Sequence, residues 1–130
     1  MSQEKPKIYQ KLAEKFGVDW DNNLIITYGD TIHCKIKNLE PHVIIHEEVH
    51  IKQQKEYGVA EWWNRYIDDE VFRLSQEVEA YKKQVNYIRE HTEDMNRQRR
   101  RIWLKQIAIW LSGPMYGNLL TYEKAVEVLK

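Results

Sequence analysis

Residues 44–51 read Ile-Ile-His-Glu-Glu-Val-His-Ile, a run with two histidines four positions apart among apolar neighbours. A helix turns once in 3.6 residues, so His46 and His50 lie on one face, about one turn apart. Two imidazoles at this spacing can bind one metal ion together, and zinc is the ion expected. Glu47 follows the first histidine directly, which brings its carboxylate beside the same ion. The run therefore predicts a helix that carries a zinc site.

The glutamate in this His-Glu-x-x-His pattern has a chemical role of its own. From its position, Glu47 can accept a proton from a water molecule that the metal has made more acidic. The alternative is a helix with two core histidines, each hydrogen-bonded to a neighbour and neither bound to metal. The ligand spacing, with Glu47 in register, favours the metal site. The chain is therefore a candidate zinc hydrolase.

A hydrolytic zinc site needs a third protein ligand, which leaves the fourth position for water. The residues that follow His50 do not supply one, because residues 51–57 contain neither His nor Asp. Glu56 lies six positions after His50 and points away on the same helix. Sites with a nearby third ligand are therefore excluded, and the ligand must come from another helix.

The next predicted helix offers two carboxylates, Glu77 and Glu79. Glu79 shares its helix face with polar residues, whereas Glu77 lies on a face that is predicted to pack inward. The residues that share the face of Glu77 are Leu74, Ala80, Tyr81 and Ile88. A carboxylate on an apolar face is costly unless it is paired or bound to metal, so Glu77 is the predicted ligand. The alternative for Glu77 is an ion pair with a buried arginine such as Arg73.

The rest of the chain predicts a small α+β domain over residues 1–130. Pro6 opens a short helix that Gly17 ends. Strands at 24–28 and 31–36 then form a hairpin across Gly29-Asp30. The motif helix runs from Asn38 or Glu40 to Tyr57-Gly58. A helical region at 59–93 breaks near Asp68-Asp69, and further helices follow at 102–111 and from about 121. The predicted fold is a short hairpin packed on the motif helix and the Glu77 helix, with additional C-terminal helices.

The balance of charges does not indicate nucleic acid or a membrane as a partner. Lys and Arg together number 20, as do Asp and Glu, so the net charge is zero. Such a chain has no general attraction to nucleic acid or to an anionic membrane. The basic run at 97–101 stands beside Glu93 and Asp94, which favours a solvated helix face. The tryptophans are predicted to pack in the core, and an aromatic surface for a partner is the alternative.

Cysteine content and hydropathy predict a cytoplasmic protein. The single cysteine, Cys34, cannot form an internal disulfide, which favours a reducing compartment, and it is interpreted as a small buried apolar residue. The N-terminus lacks an apolar signal region. The longest apolar run, at 107–111, is too short to span a bilayer. A monomer is the default oligomeric state.

His46-Glu47-x-x-His50 followed by Glu77-x-x-Ala80 resembles the gluzincin branch of the zincin metallopeptidases. The pattern is most similar to the very small forms called minigluzincins and to their phage-encoded relatives, and the resemblance covers residues 24–90. It implies a zincin-like domain in which His46, His50 and Glu77 bind one zinc ion. It also implies that Glu47 acts as general base. For a phage-encoded protein, the location would be the host cytoplasm or the virion.

The resemblance implies peptide hydrolysis, with a peptide or protein as the expected partner. Gln53 matches a position common in small zincins and is a candidate supporting contact to the site. Tyr81 stands where such proteins often carry Asp. A donor to the developing oxyanion is also needed, and Tyr81, Tyr87 and Tyr116 are all candidates. The strand at 31–36 could hold an extended substrate by its edge.

The sequence leaves the activity open between three interpretations. Residues 111–118 contain two glycines and a proline, and we expect this segment to fold back over the cleft and to keep the enzyme latent. Deletion from Gly113 onward should then raise cleavage. The alternative function is a catalytically silent zincin-fold protein, possibly phage-encoded, that binds a partner or builds structure. A third possibility is a helical interaction protein without metal.

Overall fold

The computed structural model describes all 130 residues and shows an α+β chain that is mostly helical. The α+β class predicted from the sequence is confirmed. The elements in chain order are α1 (Tyr9–Phe16), β1 (Ile26–Tyr28), β2 (Thr31–His33), α2 (Pro41–Tyr57), α3 (Val59–Asp68), α4 (Glu70–Glu90), α5 (Arg97–Leu111), a 3₁₀ turn (Pro114–Tyr116) and α6 (Tyr122–Val128). None of the helices is both long enough and apolar enough to cross a bilayer.

The hairpin forms as predicted, but its strands are shorter than the sequence suggested. β1 and β2 are antiparallel, with Thr27 opposite Ile32, and Gly29 supplies the positive φ of 63° in the turn. Pairing with β1 ends at His33, and the other edge of β2 bonds to the N-terminal segment. The amide of Cys34 donates to the carbonyl of Ser2 at 3.0 Å, and the amide of Ser2 donates to the carbonyl of Ile32 at 2.8 Å. The outer edge of β2 is therefore covered.

The motif helix α2 packs along α4 and also contacts β1 and α3. Its start is fixed by Pro41, which suits the first turn because its ring presets φ and no amide proton is needed there. Its end is fixed by Gly58, whose φ of 88° favours glycine. α2 therefore begins and ends where the sequence predicted, and it brings His46, Glu47 and His50 against α4.

The predicted break near Asp68-Asp69 is confirmed, and it separates α3 from α4. Asp69 is extended, and its side chain accepts a hydrogen bond from the Phe72 amide at 3.0 Å, which caps α4. α5 begins earlier than the apolar pattern indicated. Asn96 accepts from the Arg99 amide at 2.8 Å, so the basic run forms the first turn of α5.

Two groups of buried side chains flank the long helix α4. The first group packs α1, β1 and α3 against the start of α4, and its members are Leu12, Trp20, Ile26, Trp62, Trp63, Tyr66 and Phe72. The second group packs α5 and α6 against the end of α4, and its members are Val85, Ile107, Ala108, Leu111, Tyr116, Ala125 and Leu129. Cys34 is fully buried, as predicted. α4 therefore has core on both sides of the turns that carry Glu77.

Candidate metal centre

Two helices bring three potential ligand atoms together. α2 supplies His46 and His50, and α4 supplies Glu77; all three side chains are buried. The two Nε2 atoms lie 3.1 Å apart. Oε1 of Glu77 lies 2.9 Å from Nε2 of His50 and 3.2 Å from Nε2 of His46. Two nitrogens and one oxygen thus form a nearly equilateral triangle.

This triangle has the dimensions of a metal site. Zinc binds such atoms at about 2.0–2.1 Å, and a tetrahedral arrangement then separates neighbouring ligand atoms by about 3.3–3.4 Å. The observed separations of 2.9–3.2 Å are within a few tenths of an ångström of that value. The three atoms therefore fit one metal ion, and the tetrahedron keeps one corner for water or a substrate.

Glu47 lies beside the triangle but is not part of it. Its donor atoms group with those of His46 and His50 within 4.8 Å, so it too could be counted as a ligand. However, its Oε2 is 3.7 Å from Nε2 of His46, whereas Glu77 contacts both histidines. Its Oε1 accepts a hydrogen bond from Oγ1 of Thr27 at 3.0 Å. This geometry favours Glu77 as the third ligand and leaves Glu47 free to handle protons.

A hydrogen-bond chain fixes the tautomer of His50. Nε2 of Gln53 donates to the carbonyl of Gln76 at 3.0 Å and to Oε1 of Glu79 at 2.9 Å, and both of these partners can only accept. Oε1 of Gln53 must therefore face Nδ1 of His50, which lies 2.8 Å away and carries the proton. In the neutral ring, the lone pair of His50 is consequently on Nε2, where a metal ligand needs it. Glu79 is exposed, as expected, and yet it takes part in this chain.

His46 is held in a different way. Its Nδ1 is buried and has no hydrogen-bond partner. The ring instead packs edge-on against the ring of Tyr81, with 4.3 Å between centroids. Histidine ligands usually donate their second N–H to a carboxylate or a carbonyl, and His46 lacks that contact. Packing rather than hydrogen bonding therefore orients the ring of His46.

The other oxygen of Glu77 is held by two tyrosines. Oε2 accepts from the hydroxyl of Tyr66 at 2.6 Å and from that of Tyr116 at 3.3 Å. Arg73 is buried nearby, but its guanidinium donates to backbone carbonyls, including that of Met115 at 2.7 Å. The alternative of an Arg73–Glu77 ion pair is therefore wrong. Neither Lys nor Arg forms an ion pair with Glu77 or with Glu47.

The buried charges shift several pKa values. Burial alone would lower the pKa of His50, but the negative charge and hydrogen bond of Glu77 outweigh it and raise the value to about 9. Burial would raise the pKa of Glu77, yet the charge of His50 and the hydrogen bonds from both histidines hold it well below its usual range. Without metal, a proton on His50 thus neutralises Glu77. Two buried carboxylates with no Lys or Arg partner leave the site suited to a cation.

The three candidate tyrosines have different positions. Burial, and then the charge of Glu77, raise the pKa values of Tyr81 and Tyr116 well above the usual phenol value, so both stay protonated at neutral pH. Tyr116 donates to Glu77, whereas Tyr81 donates to neither carboxylate. Tyr87 does not reach the site and stacks on His91 at 3.8 Å. It lies six residues after Tyr81, so its side chain leaves α4 about 120° away.

A cavity of about 630 Å³ opens onto the triangle. This volume is within the range of about 300–1,000 Å³ that is usual for ligand sites. His46, Glu47, His50 and Glu77 form its polar floor. Residues 22–27 line it from the hairpin side, but none of residues 31–36 does. The interpretation of strand 31–36 as the substrate edge is therefore wrong, because that edge is occupied by Ser2 and lies outside the cavity.

The C-terminal segment forms part of the cavity wall. Gly113, Pro114, Met115 and Tyr116 all line the cavity. Tyr116 is also buried in the second core group, and the residues after it supply two further core side chains. This placement does not favour a removable cover. Deletion from Gly113 would remove core residues and a hydrogen bond to Glu77, so the predicted rise in cleavage is no longer expected from that deletion.

Sequence reasoning missed the residues that orient Glu47 and Glu77. Thr27 reads as an ordinary strand residue, and its only distinguishing sign is a polar side chain in the middle of an apolar strand. Gln54 donates to the carbonyl of Thr27 at 2.8 Å and accepts from the amide of Gly29 at 2.7 Å, which fixes β1 against α2. Tyr66 follows the Trp62-Trp63 pair in an apolar stretch of the sequence, and no sequence signal assigns its hydroxyl to Glu77.

Comparison with known proteins gives no match: no protein-family model fits the chain, and neither a curated protein nor a solved structure is significantly similar.

Proposed function

We propose that this protein is a zinc-dependent metallopeptidase of the gluzincin type. His46, His50 and Glu77 would hold the metal, and Glu47 would act as general base. The observation that carries the proposal is the ligand triangle with a buried, oriented carboxylate directly beside it. The His-Glu-x-x-His spacing and the resemblance of residues 24–90 to small gluzincins support the same class.

Glu47 is arranged for proton transfer. Thr27 engages Oε1, so Oε2 is the oxygen that faces the triangle, 3.7 Å from Nε2 of His46. When bound, zinc would supply Lewis acidity, which makes water more acidic and polarises a carbonyl group. Glu47 accepts the proton of the attacking water and passes it to the nitrogen of the leaving amine. Its single hydrogen bond to Thr27 keeps the carboxylate oriented through both transfers.

Tyr81 is the proposed donor to the developing oxyanion. It lines the cavity, packs on the ring of His46 and stays protonated at neutral pH. Tyr66 donates its hydroxyl proton to Glu77, and the hydroxyl of Tyr116 faces both Glu77 and Tyr81, where Tyr81 accepts. Tyr81 therefore has a proton available for a substrate carbonyl oxygen that gains negative charge.

The free edge of β1 is the proposed binding surface for an extended peptide. In an antiparallel pair, two opposite residues either bond to each other or both point their backbone groups outward. Thr27 is opposite Ile32, and the carbonyl of Ile32 accepts from Ser2 on the outer side of β2. The backbone groups of Thr27 therefore also point outward, away from β2. The carbonyl of Thr27 accepts from Gln54, but its amide and the backbone of Ile25 make no hydrogen bond. Both residues line the cavity. A peptide that pairs with this edge passes alongside Glu47.

The decisive test is Glu47→Gln beside Glu48→Gln. Glu48 is the next residue on α2 and is exposed, so its variant is a matched control. We expect Glu47→Gln to keep its metal and to lose about 10²- to 10⁴-fold in peptide hydrolysis, the usual contribution of a general base. Glu48→Gln should match the wild type. Metal content is measured by elemental mass spectrometry, and cleavage is measured with fluorogenic peptides.

The other outcomes identify the alternatives. A wild type that binds metal but cleaves no peptide in a diverse library supports a zincin-like protein that binds a partner without hydrolysis. A wild type that purifies without metal and does not take it up supports the helical interaction protein. Equal activity of the Glu47→Gln variant and the wild type overturns the assignment of the base.

A further inference from the structure

Helix α5 presents an unusual wall to the cavity. Trp103, Ile109 and Trp110 line it. Ile109 and Trp110 are 45% and 43% exposed, although both are large apolar side chains. The prediction that the tryptophans are core residues holds for Trp62 and Trp63 but not for Trp110. Apolar area left in contact with water next to a polar floor is typical of a ligand surface.

Aromatic rings connect this wall to the metal centre. The ring of Trp110 lies 6.2 Å from that of Tyr81, and Tyr81 lies 4.3 Å from the ring of His46. Trp103 stands at 68° to Trp110, with 6.4 Å between centroids. The two indoles form an angled apolar surface. Only the ring of Tyr81 therefore separates a ligand side chain packed on Trp110 from His46, a proposed metal ligand.

The wall carries no charge. All residues that α5 and the following turn contribute to the cavity are uncharged, namely Trp103, Ile109, Trp110, Pro114, Met115 and Tyr116. The only acidic residues of the lining are Glu47 and Glu77, which the site already uses, and the lining contains neither Lys nor Arg. A charged ligand group buried here would have no partner and would bind poorly.

We infer that the α5 wall is a specificity pocket for one bulky apolar side chain, aromatic or branched aliphatic, next to the cleaved bond. This inference rests on the proposed peptidase function and names its substrate class. Trp110 and Ile109 are the specificity-determining residues, and Trp103 closes the surface behind them. Burial of a side chain as large as Phe or Leu is expected to favour such a substrate over its Ala counterpart by about 10- to 100-fold.

The test is a series of quenched fluorescent peptides that differ only at one position beside the cleaved bond. The position carries Phe, Leu, Ala, Glu or Lys, on either side of the bond in turn. We expect kcat/KM for Phe or Leu to exceed that for Ala, Glu and Lys by about 10- to 100-fold on one side of the bond. Trp110→Ala should remove most of this ratio, and Ile109→Ala should remove part of it.

Matched controls come from exposed apolar residues outside the cavity. Ile102 lies on α5 and is 60% exposed, and Tyr122 is 40% exposed. Ile102→Ala and Tyr122→Ala should keep the wild-type ratio. A preference for small or charged side chains overturns the inference, even if the peptides are cleaved. So does a ratio that survives in both Trp110→Ala and Ile109→Ala.

A second measurement separates this inference from the proposed function. If the wild type cleaves none of the peptides, the peptidase proposal fails, and binding to the Glu47→Gln protein is then measured by calorimetry. Tighter binding of the Phe peptide than of the Ala peptide, lost in the additional variant Trp110→Ala, supports the wall as an apolar ligand site. Equal binding of the two peptides overturns it.

Discussion

The polar floor of the cavity and its α5 wall are built in contrasting ways. On the floor, Glu77 accepts from two tyrosines and contacts two histidines, and His50 is oriented by Gln53. On the wall, the side chains of Ile109 and Trp110 remain nearly half exposed and make no hydrogen bonds. Apart from His46, whose ring packs on Tyr81, the floor is fixed by directional contacts, whereas the wall is held only by packing.

The contrast is the one that the proposed function would require of the two regions. Metal ligands and a general base must stay within a few tenths of an ångström of a working geometry, which needs supporting hydrogen bonds. Apolar recognition is not directional, so a wall of rings can accept side chains of different shape without such support. Damage to the floor should therefore cost metal and stability, and damage to the wall should cost only selectivity.

The largest effect is expected from Glu77→Ala, measured beside Glu79→Ala. Loss of a ligand should weaken zinc binding by about a thousandfold, because the roughly 10–16 kcal/mol of a structural zinc site is shared among its ligands. Glu79 acts only through Gln53, so its loss should weaken binding by at most about 10- to 100-fold. Competition with a chromophoric zinc chelator gives both affinities.

Glu79 is the matched control, since it lies on the same helix two residues away and is exposed. If Glu79→Ala loses zinc and Glu77→Ala keeps it, the ligand triangle is misassigned. Equal losses of zinc affinity in both variants would mean that the contact between Glu79 and Gln53 matters as much as a ligand. The residues that hold the metal would then include Glu79 on the exposed face of α4.

The next largest effect is expected on the stability of the metal-free protein at alkaline pH. The pKa of His50 is about 9 in the folded chain, above its ordinary value of 6.5. Its stabilising contribution is therefore complete below about pH 6.5 and is lost as the pH rises through 9. The lowered pKa of Glu77 affects stability at acidic pH. Its stabilising contribution is lost as the pH falls below the ordinary pKa of a glutamate and through the lower pKa of the folded chain.

Urea unfolding of the metal-free protein between pH 6 and pH 10 measures this contribution. The free energy of unfolding should fall by up to about 3 kcal/mol across the range. His50→Gln should flatten the fall, and saturating zinc should reduce it because the metal replaces the proton. A wild-type profile that is already flat would show that Glu77 and His50 are not coupled in the folded chain.

Much of the floor could be predicted because local rules place it. Helical spacing brings His46 and His50 onto one face, and the apolar neighbours of Glu77 turn it inward on α4. Pro41, Gly58 and Asp69 mark helix boundaries by their backbone preferences. These signals depend on residues only a few positions apart, so one sequence is enough to read them.

The partners across elements could not be predicted in the same way. Thr27 meets Glu47, and Tyr66 meets Glu77, only after β1, α2, α3 and α4 have packed together. Tyr87 is different, because its spacing of six residues from Tyr81 already places it about 120° around α4 from that side chain. Trp110 was assigned to the core because an amphipathic pattern cannot distinguish a side chain under another helix from one that faces a cavity.

The smallest loss of stability is expected when a side chain of the wall is truncated. This substitution is the sharpest test of the contrast between the floor and the wall. Trp110→Ala removes a side chain that is 43% exposed, so the free energy of unfolding should fall by no more than about 1 kcal/mol. Trp62 is 1% exposed and packs on the ring of His50 at 5.4 Å, so Trp62→Ala should cost about 3–5 kcal/mol. Urea unfolding of both variants at neutral pH, with and without zinc, gives the comparison. If the two substitutions cost the same, Trp110 belongs to the core, and the wall is as rigidly built as the floor. If Trp110→Ala is nearly neutral while zinc affinity is unchanged, the wall can vary independently of the metal centre, as a surface that selects ligands must.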